Sequence, residues 1–352
     1  FTHSFIPPME TAGRRRKPQS RLRRAIKMDV TSIPNLLLSA AVCLLCWMMG
    51  YTYSAGYPVA TRPENLPTWQ YLIGLLPDRL TTYVIGASLY ALVAGIVQRI
   101  NYKYIIVRGR RALPALFFFL FVSTNLDTFP LRPVSLSLIG LTLALSQLLG
   151  SWQRPDDIGR TFNISVCLSL GALVWPHMVW FIPLFWYGMY RFGSLSARGL
   201  LTSVLGLLTV FGFVFAWCLW QNDYRLPQAF YNALATPDVP FLHAAFEPNW
   251  ISSLCVVCLV IVTSIYLSLH NTENSVRTRQ NLSFLSVFVG WAFTLLCVYA
   301  DDAPDILCVL YVPASILVAY FFSDKRNLLT YLFYILILTF LVYLLLTRLW
   351  TS

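Results

Sequence analysis

Residues 112–150 read ALPALFFFLFVSTNLDTFPLRPVSLSLIGLTLALSQLLG, and the fold class turns on how this stretch is parsed. Two apolar runs flank a short polar segment, Ser123 to Pro133, that carries Asp127 and Arg132. Asp-Thr and the paired prolines Pro130 and Pro133 are turn chemistry. The runs on either side can each continue as a membrane helix. The natural reading is therefore two helices joined by a tight turn, with both charges held near the depth of lipid headgroups. At that depth a guanidinium meets phosphate oxygens and can bind them with two parallel hydrogen bonds.

The pattern repeats along the chain. Of 352 residues, 57% are hydrophobic and 12% charged, far from the usual quarter charged in soluble domains. Apolar runs fall at 33–53, 80–98, 112–124, 133–150, 162–175, 177–190, 199–220, 250–270, 281–300, 306–322 and 328–349. Helices through about 30 Å of hydrocarbon account for runs of this kind. The expectation is an all-α, polytopic transmembrane bundle with about eleven crossings. Residues 33–352 form that domain, preceded by a basic tail, 1–32, with GRRRKPQSRLRRAIK at 13–27. The tail has no apolar core followed by a small-residue cleavage site, so it is not read as a cleaved signal peptide. Beside a membrane span, such a run marks the cytoplasmic side or touches anionic lipid rather than nucleic acid.

Charge then orients the bundle. With the N-terminus inside, every one of the 26 Lys and Arg residues falls inside except Arg62, Arg79, Arg132, Arg225 and Arg348. Excess Lys and Arg on the cytoplasmic side is the rule for multi-pass proteins. Two features go beyond a helix count. Residues 161–193 have to cross twice with few residues per crossing, broken at Pro176, while Gly171 permits close backbone approach. The outer loops 54–79 and 221–249 are rich in Pro and aromatics, as expected of pieces lying at the interface.

The eight cysteines lie in or beside apolar runs. CLLC (43–46) and CVVC (255–258) have CxxC spacing but no polar partner set for redox or zinc chemistry. No Gly-rich phosphate loop, HExxH or GxSxG occurs. Chemistry would fall to polar residues gathered on the outer face: Glu64, Asp78, Arg79, Asp127, Arg132, His177, Asp223, Arg225, Asp238, His243, Glu247 and the acidic turn with Asp301, Asp302 and Asp305. Glu64 and Asp78 are the carboxylates available on the first outer loop. His177, between Trp175 and Trp180, is either an interfacial anchor or a phosphate-facing donor. Asp301, Asp302 and Asp305 are hard oxygen donors that suit a divalent cation, or a plain polar turn. No cofactor is otherwise expected.

From 124 to 220 the order of features, LDTFPLRP, a helix, LGALVWP, FIPLFWYGMYRF, a basic turn and a helix ending FAWCLW, resembles the core of lipid-linked-sugar glycosyltransferases of the GT-C type. VLYVPASILVAYFF after ADDAPD is similar to a late helix of those enzymes. The same layout also resembles a domain-of-unknown-function family of bacterial polytopic inner-membrane proteins. The resemblance implies a GT-C-like core and sugar transfer from a polyprenyl phosphate at the outer face. Glu64 or Asp78 would be the base, with Asp127, Arg132 and His177 binding the substrate. The first loop holds isolated carboxylates where those enzymes commonly carry an acidic pair. The alternative is a non-enzymatic subunit that binds lipid or a membrane protein partner, and a transporter comes third.

Overall fold

The computed structural model describes residues 33–53, 66–76, 78–107, 112–124, 131–154, 157–235, 250–270, 275–299, 302–324, 331, 334–340 and 342–343. Expectations placed on the tail 1–32, Glu64, Asp127, Asp238, His243, Glu247 and Asp301 lie outside those residues. Among the described residues every regular element is a helix. In order they are α1 (Ile33–Tyr53), α2 (Pro67–Gly74), α3 (Arg79–Tyr104), α4 (Leu113–Thr124), α5 (Pro133–Gly150), α6 (Ile158–Ala172), a 3-10 turn (Pro176–Trp180), α7 (Phe181–Arg191), α8 (Ala197–Gln221), α9 (Arg225–Ala235), α10 (Trp250–His270), α11 (Val276–Val298) and α12 (Ala303–Asp324).

Local signals explain many of the boundaries. Pro67, Pro133 and Pro176 each stand at the first position of their element, where a missing N–H costs nothing. Ser196 and Ser275 cap α8 and α11 by accepting the backbone N–H of Gly199 and Thr278. Asn222, with φ of 55°, closes α8 in the left-handed conformation that Asn tolerates. Among the described residues, six helices are long and apolar enough to cross a membrane: α1, α3, α5, α8, α11 and α12. The chain is a membrane-embedded helical protein.

The core is built around α12, which packs against α4, α5, α10 and α11. Leu310, Val312, Ala314 and Leu317 are buried along it. Phe322 stacks on Phe117 of α4 with ring centroids 5.3 Å apart. Away from this centre, α5, α6 and α8 form a layered edge held by close backbone approach. A Cβ on Gly140 of α5 would lie 2.5 Å from the Cys167 carbonyl oxygen of α6, so only glycine fits there. Ser137 donates to the Gly171 carbonyl at 2.8 Å, and the Ser165 and Ser203 hydroxyls bond at 2.5 Å between α6 and α8. Small residues and hydroxyls are the usual joint between helices in lipid, where apolar surface alone gives no preference for protein over lipid.

The 161–193 segment doubles back as a hairpin, and its arms, α6 and α7, are not among those six long apolar helices. Arg160, at the start of α6, donates to the Gly150 carbonyl at the C-terminal end of α5. After α7, Phe192 returns to that same end, its carbonyl accepting from Gln153 at 2.9 Å. The tip lies at the opposite end of α5, where Thr68 of α2 donates to the Leu173 carbonyl at 2.8 Å.

This geometry sorts the connections into two ends. At one, Tyr104 donates to Ser146, Arg277 reaches the Leu149 carbonyl and stacks over Tyr104 and Trp152, and Trp152 donates to Gln280. At the other, residues 66–76, 78–82, 131–133, 173–180, 224–235, 299 and 302–305 come together. We refer to these as the basic and the acidic end. The described cysteines are free, with Cys43, Cys46, Cys218 and Cys308 buried.

Candidate functional site

The acidic end gathers most of the polar residues that the sequence puts on one face. Arg132 precedes Pro133 in an extended conformation, which aims its side chain across the bundle instead of along α5. There it forms an ion pair and hydrogen bond with Asp305, in the first turn of α12. The two side chains are only 12% and 6% exposed, so neither is a solvated turn residue. Burial works against the Arg132 charge, and the adjacent Asp305 outweighs it, raising the guanidinium above its ordinary value.

A second pair lies beside the first. His177 is held in the 3-10 turn by Pro176, with its ring edge-on to Tyr299 at 4.5 Å and 5.5 Å from Trp175. Its Nδ1 lies 3.2 Å from Asp302 Oδ2. Burial in this aromatic surround pushes the imidazole down to about 4, against the pull of Asp305, so the ring is neutral near pH 7. The indole N–H groups of Trp69 and Trp175 are also buried at this end without hydrogen-bond partners.

Two short helices roof the cluster. α2 sets Trp69 and Ile73 on Leu131, with Val174 packed alongside. α9 packs against the 3-10 turn and α2, and Tyr299 donates to the Leu234 carbonyl at 3.1 Å. No residue of α9 is buried, which suits a helix lying on a surface.

The candidates read from the sequence thus meet different fates. Arg132 and His177 come together, and the partners they meet are the acidic-turn residues Asp305 and Asp302. Asp127, expected beside Arg132, and the candidate base Glu64 lie outside the described residues. Asp78 is exposed at the start of α3, where its carbonyl accepts from Thr82. Asp223 and Arg225 form an exposed pair at 3.8 Å. Among the described residues no group of three His, Cys, Asp or Glu side chains is arranged to hold a metal ion. What the sequence reading missed was the pairing: the acidic turn was treated as a unit, although Asp305 answers the Arg132 charge and Asp302 stands beside the neutral His177 ring.

A cavity also lies away from this cluster. A groove of about 660 Å³ runs between α1, α3 and α4, within the range of small-molecule sites. Its walls are almost wholly apolar. The Tyr83 hydroxyl and Trp47 indole that reach it are already bonded, to the Trp47 carbonyl and to Ser123. At its acidic end Arg79 donates to the Tyr51 carbonyl and lies 4.9 Å over the Tyr51 ring.

A family model described as a family of unknown function, DUF6427, matches residues 71–351. The chain belongs to DUF6427. No curated protein and no solved structure matches it. The DUF6427 region begins within α2, so it holds the whole Arg132, Asp305, His177 and Asp302 cluster and two walls of the groove, with α1 contributed from outside it.

Proposed function

We propose that this DUF6427 chain is a non-catalytic lipid-binding membrane protein that holds a bilayer lipid in the groove between α1, α3 and α4. The observation that carries this reading is the groove itself, an apolar channel of about 660 Å³ with Arg79 at one end. The charged cluster supports it from the other side, because Arg132 and His177 each already face a carboxylate. In this reading the chain is a subunit or scaffold of a bacterial inner-membrane complex. It crosses about eleven times, with residues 1–32 as a cytoplasmic tail and the acidic end outside. Basic residues at one end support that orientation through the positive-inside rule.

The test is native mass spectrometry of the detergent-purified full chain. A co-purifying lipid is expected, and it should disappear in Ala87→Trp, which puts an indole into the groove, while thermal stability is kept. A lipid-free wild type, or equal retention in a folded Ala87→Trp, overturns the proposal. Orientation is tested by cysteine labelling. Lys103 and Arg277 positions should react from the cytoplasmic side and the Tyr231 and Ser352 positions from the opposite side, whereas cytoplasmic labelling at 352 would break the odd number of crossings.

A second reading, GT-C-like sugar transfer from a polyprenyl phosphate, is favoured by one observation. The buried and unpartnered indole N–H groups of Trp69 and Trp175 lie at the same end as His177 and Arg132, and unpartnered buried donors suit an acceptor-rich headgroup. In that case Glu64 or Asp78 acts as base, Arg132 and His177 hold the phosphate, and Asp127 orients them. Sugar release from a polyprenyl phosphate donor by purified protein, lost in Asp78→Asn or Glu64→Gln, is its required result.

A further inference from the structure

Resting on the lipid-binding reading, the geometry points to the class of lipid: we propose that the groove takes one acyl chain of a glycerophospholipid from the outer leaflet, with Arg79 binding its phosphate. Three observations carry this. The first is length. On α1 the lining runs from Ala40 to Thr52, which at about 1.5 Å per residue is about 18 Å. That is close to half of the roughly 30 Å hydrocarbon thickness, so the groove is about one leaflet deep. An acyl chain spans a leaflet, whereas an extended polyprenyl chain far exceeds it.

The second observation is the way in. Leu44, Met48, Leu80 and Val84 form the lips of the groove and are more than half exposed. Apolar lips of this kind open sideways to hydrocarbon, so a chain can enter from the bilayer without crossing a polar barrier. The third is the division of polarity along the groove. Below the mouth the polar tips of Tyr83 and Trp47 are used within the protein. At the mouth stand the exposed side chains of Thr52 and Arg79, the latter backed by Tyr51. Hydrocarbon below and a guanidinium above is the complement of a phosphate-headed lipid. The planar guanidinium, whose face rests on the ring and whose Nη2 donates to the Tyr51 carbonyl, would share its N–H groups between those protein contacts and phosphate oxygens. Tyr51 at this level matches the aromatic belt where headgroups lie.

The experiment titrates the full chain in detergent with three probes, read by native mass spectrometry: palmitoyl-oleoyl phosphatidylglycerol, the diacylglycerol with the same chains, and undecaprenyl phosphate. Wild type should prefer the phosphatidylglycerol over the diacylglycerol by about tenfold, the scale of one charge-assisted contact. Undecaprenyl phosphate should bind no tighter than the phosphatidylglycerol. Arg79→Gln should abolish the tenfold preference while leaving diacylglycerol binding unchanged, and Arg79→Lys should restore part of it. An unchanged preference in Arg79→Gln overturns the headgroup assignment, and tighter binding of undecaprenyl phosphate overturns the acyl-length assignment. Loss of all three probes in Ala87→Trp, or in Ala40→Trp if the first variant does not fold, is expected. Retention in a folded groove-filled variant would instead sink the lipid-binding reading beneath this one.

Discussion

Two helices of nearly equal apolar character, α8 and α12, end up in opposite places. In the span Ala303–Ser323, 89% of the most apolar window is buried inside the protein, against 17% for Ala197–Gln221. α12 is surrounded by α3, α4, α5, α10 and α11, and α8 rests on the edge through Gly199, Ser203 and Gly206, turning Phe213, Trp217 and Trp220 outward. The difference teaches that apolar composition commits a segment to the membrane and says little about its neighbours. Neighbours are chosen by what lipid cannot supply. For α12 that is a buried ion pair at its first turn and aromatic stacking along its length. For α8 it is one seam of small residues and hydroxyls.

The sharpest way to break this comparison is at the ion pair. Asp305→Ala or Arg132→Ala alone leaves the other charge buried without its partner and should cost about 3–5 kcal/mol, whereas Arg132→Met with Asp305→Leu should come close to wild type. Thermal or denaturant unfolding in detergent measures all three, and singles as mild as the double would show that the Arg132–Asp305 pair does not hold α12 in place. Next comes the interior of α12, where Leu310 is fully buried. Leu310→Ala should cost about 2–5 kcal/mol by the cavity it leaves.

The pH dependence of the acidic end comes third. Folding holds His177 neutral down to about 4, while the unfolded chain protonates it near 6.5. Its contribution is therefore complete above about pH 6.5 and is lost as pH falls toward 4, with a ceiling of about 3 kcal/mol. His177→Gln should flatten the unfolding profile across that window, and an unaltered slope would show that the ring is not sequestered. The smallest effects belong to α8. At Gly206 a Cβ would stand 3.0 Å from the Phe162 carbonyl, so Gly206→Leu should loosen the seam by about 1–3 kcal/mol. Phe213→Ala, on the exposed face, should stay within about 0.5 kcal/mol. A large loss at Phe213 would sharpen the comparison differently, by exposing a partner packed against α8.

Much of this was legible in the chain itself. Among the described residues the helices lie close to the apolar runs, Pro176 does break a hairpin, Gly171 does sit at a close approach, and the basic stretches around Arg160 and Arg277 do share one end. Each rests on a local signal, such as a fixed φ, a missing side chain or a charge that avoids hydrocarbon. The charged site was half legible. Arg132 and His177 stood out as charged or titratable groups at headgroup depth, but their partners are 173 positions away in one case and on another helix junction in the other. No local pattern encodes such a distance.

By itself, then, the sequence determined that this chain is helical, lives in a membrane and carries its described basic stretches around Arg160 and Arg277 to one end, because backbone hydrogen bonding in hydrocarbon and the cost of moving cations are properties of each segment alone. Only the tertiary structure decided that α12 is the centre and α8 the edge, that Asp305 and Asp302 answer Arg132 and His177, and that α1, α3 and α4 leave a groove open between them. Those outcomes depend on which surfaces fit. Complementarity of shape and charge between segments far apart in sequence exists only once they have been brought together.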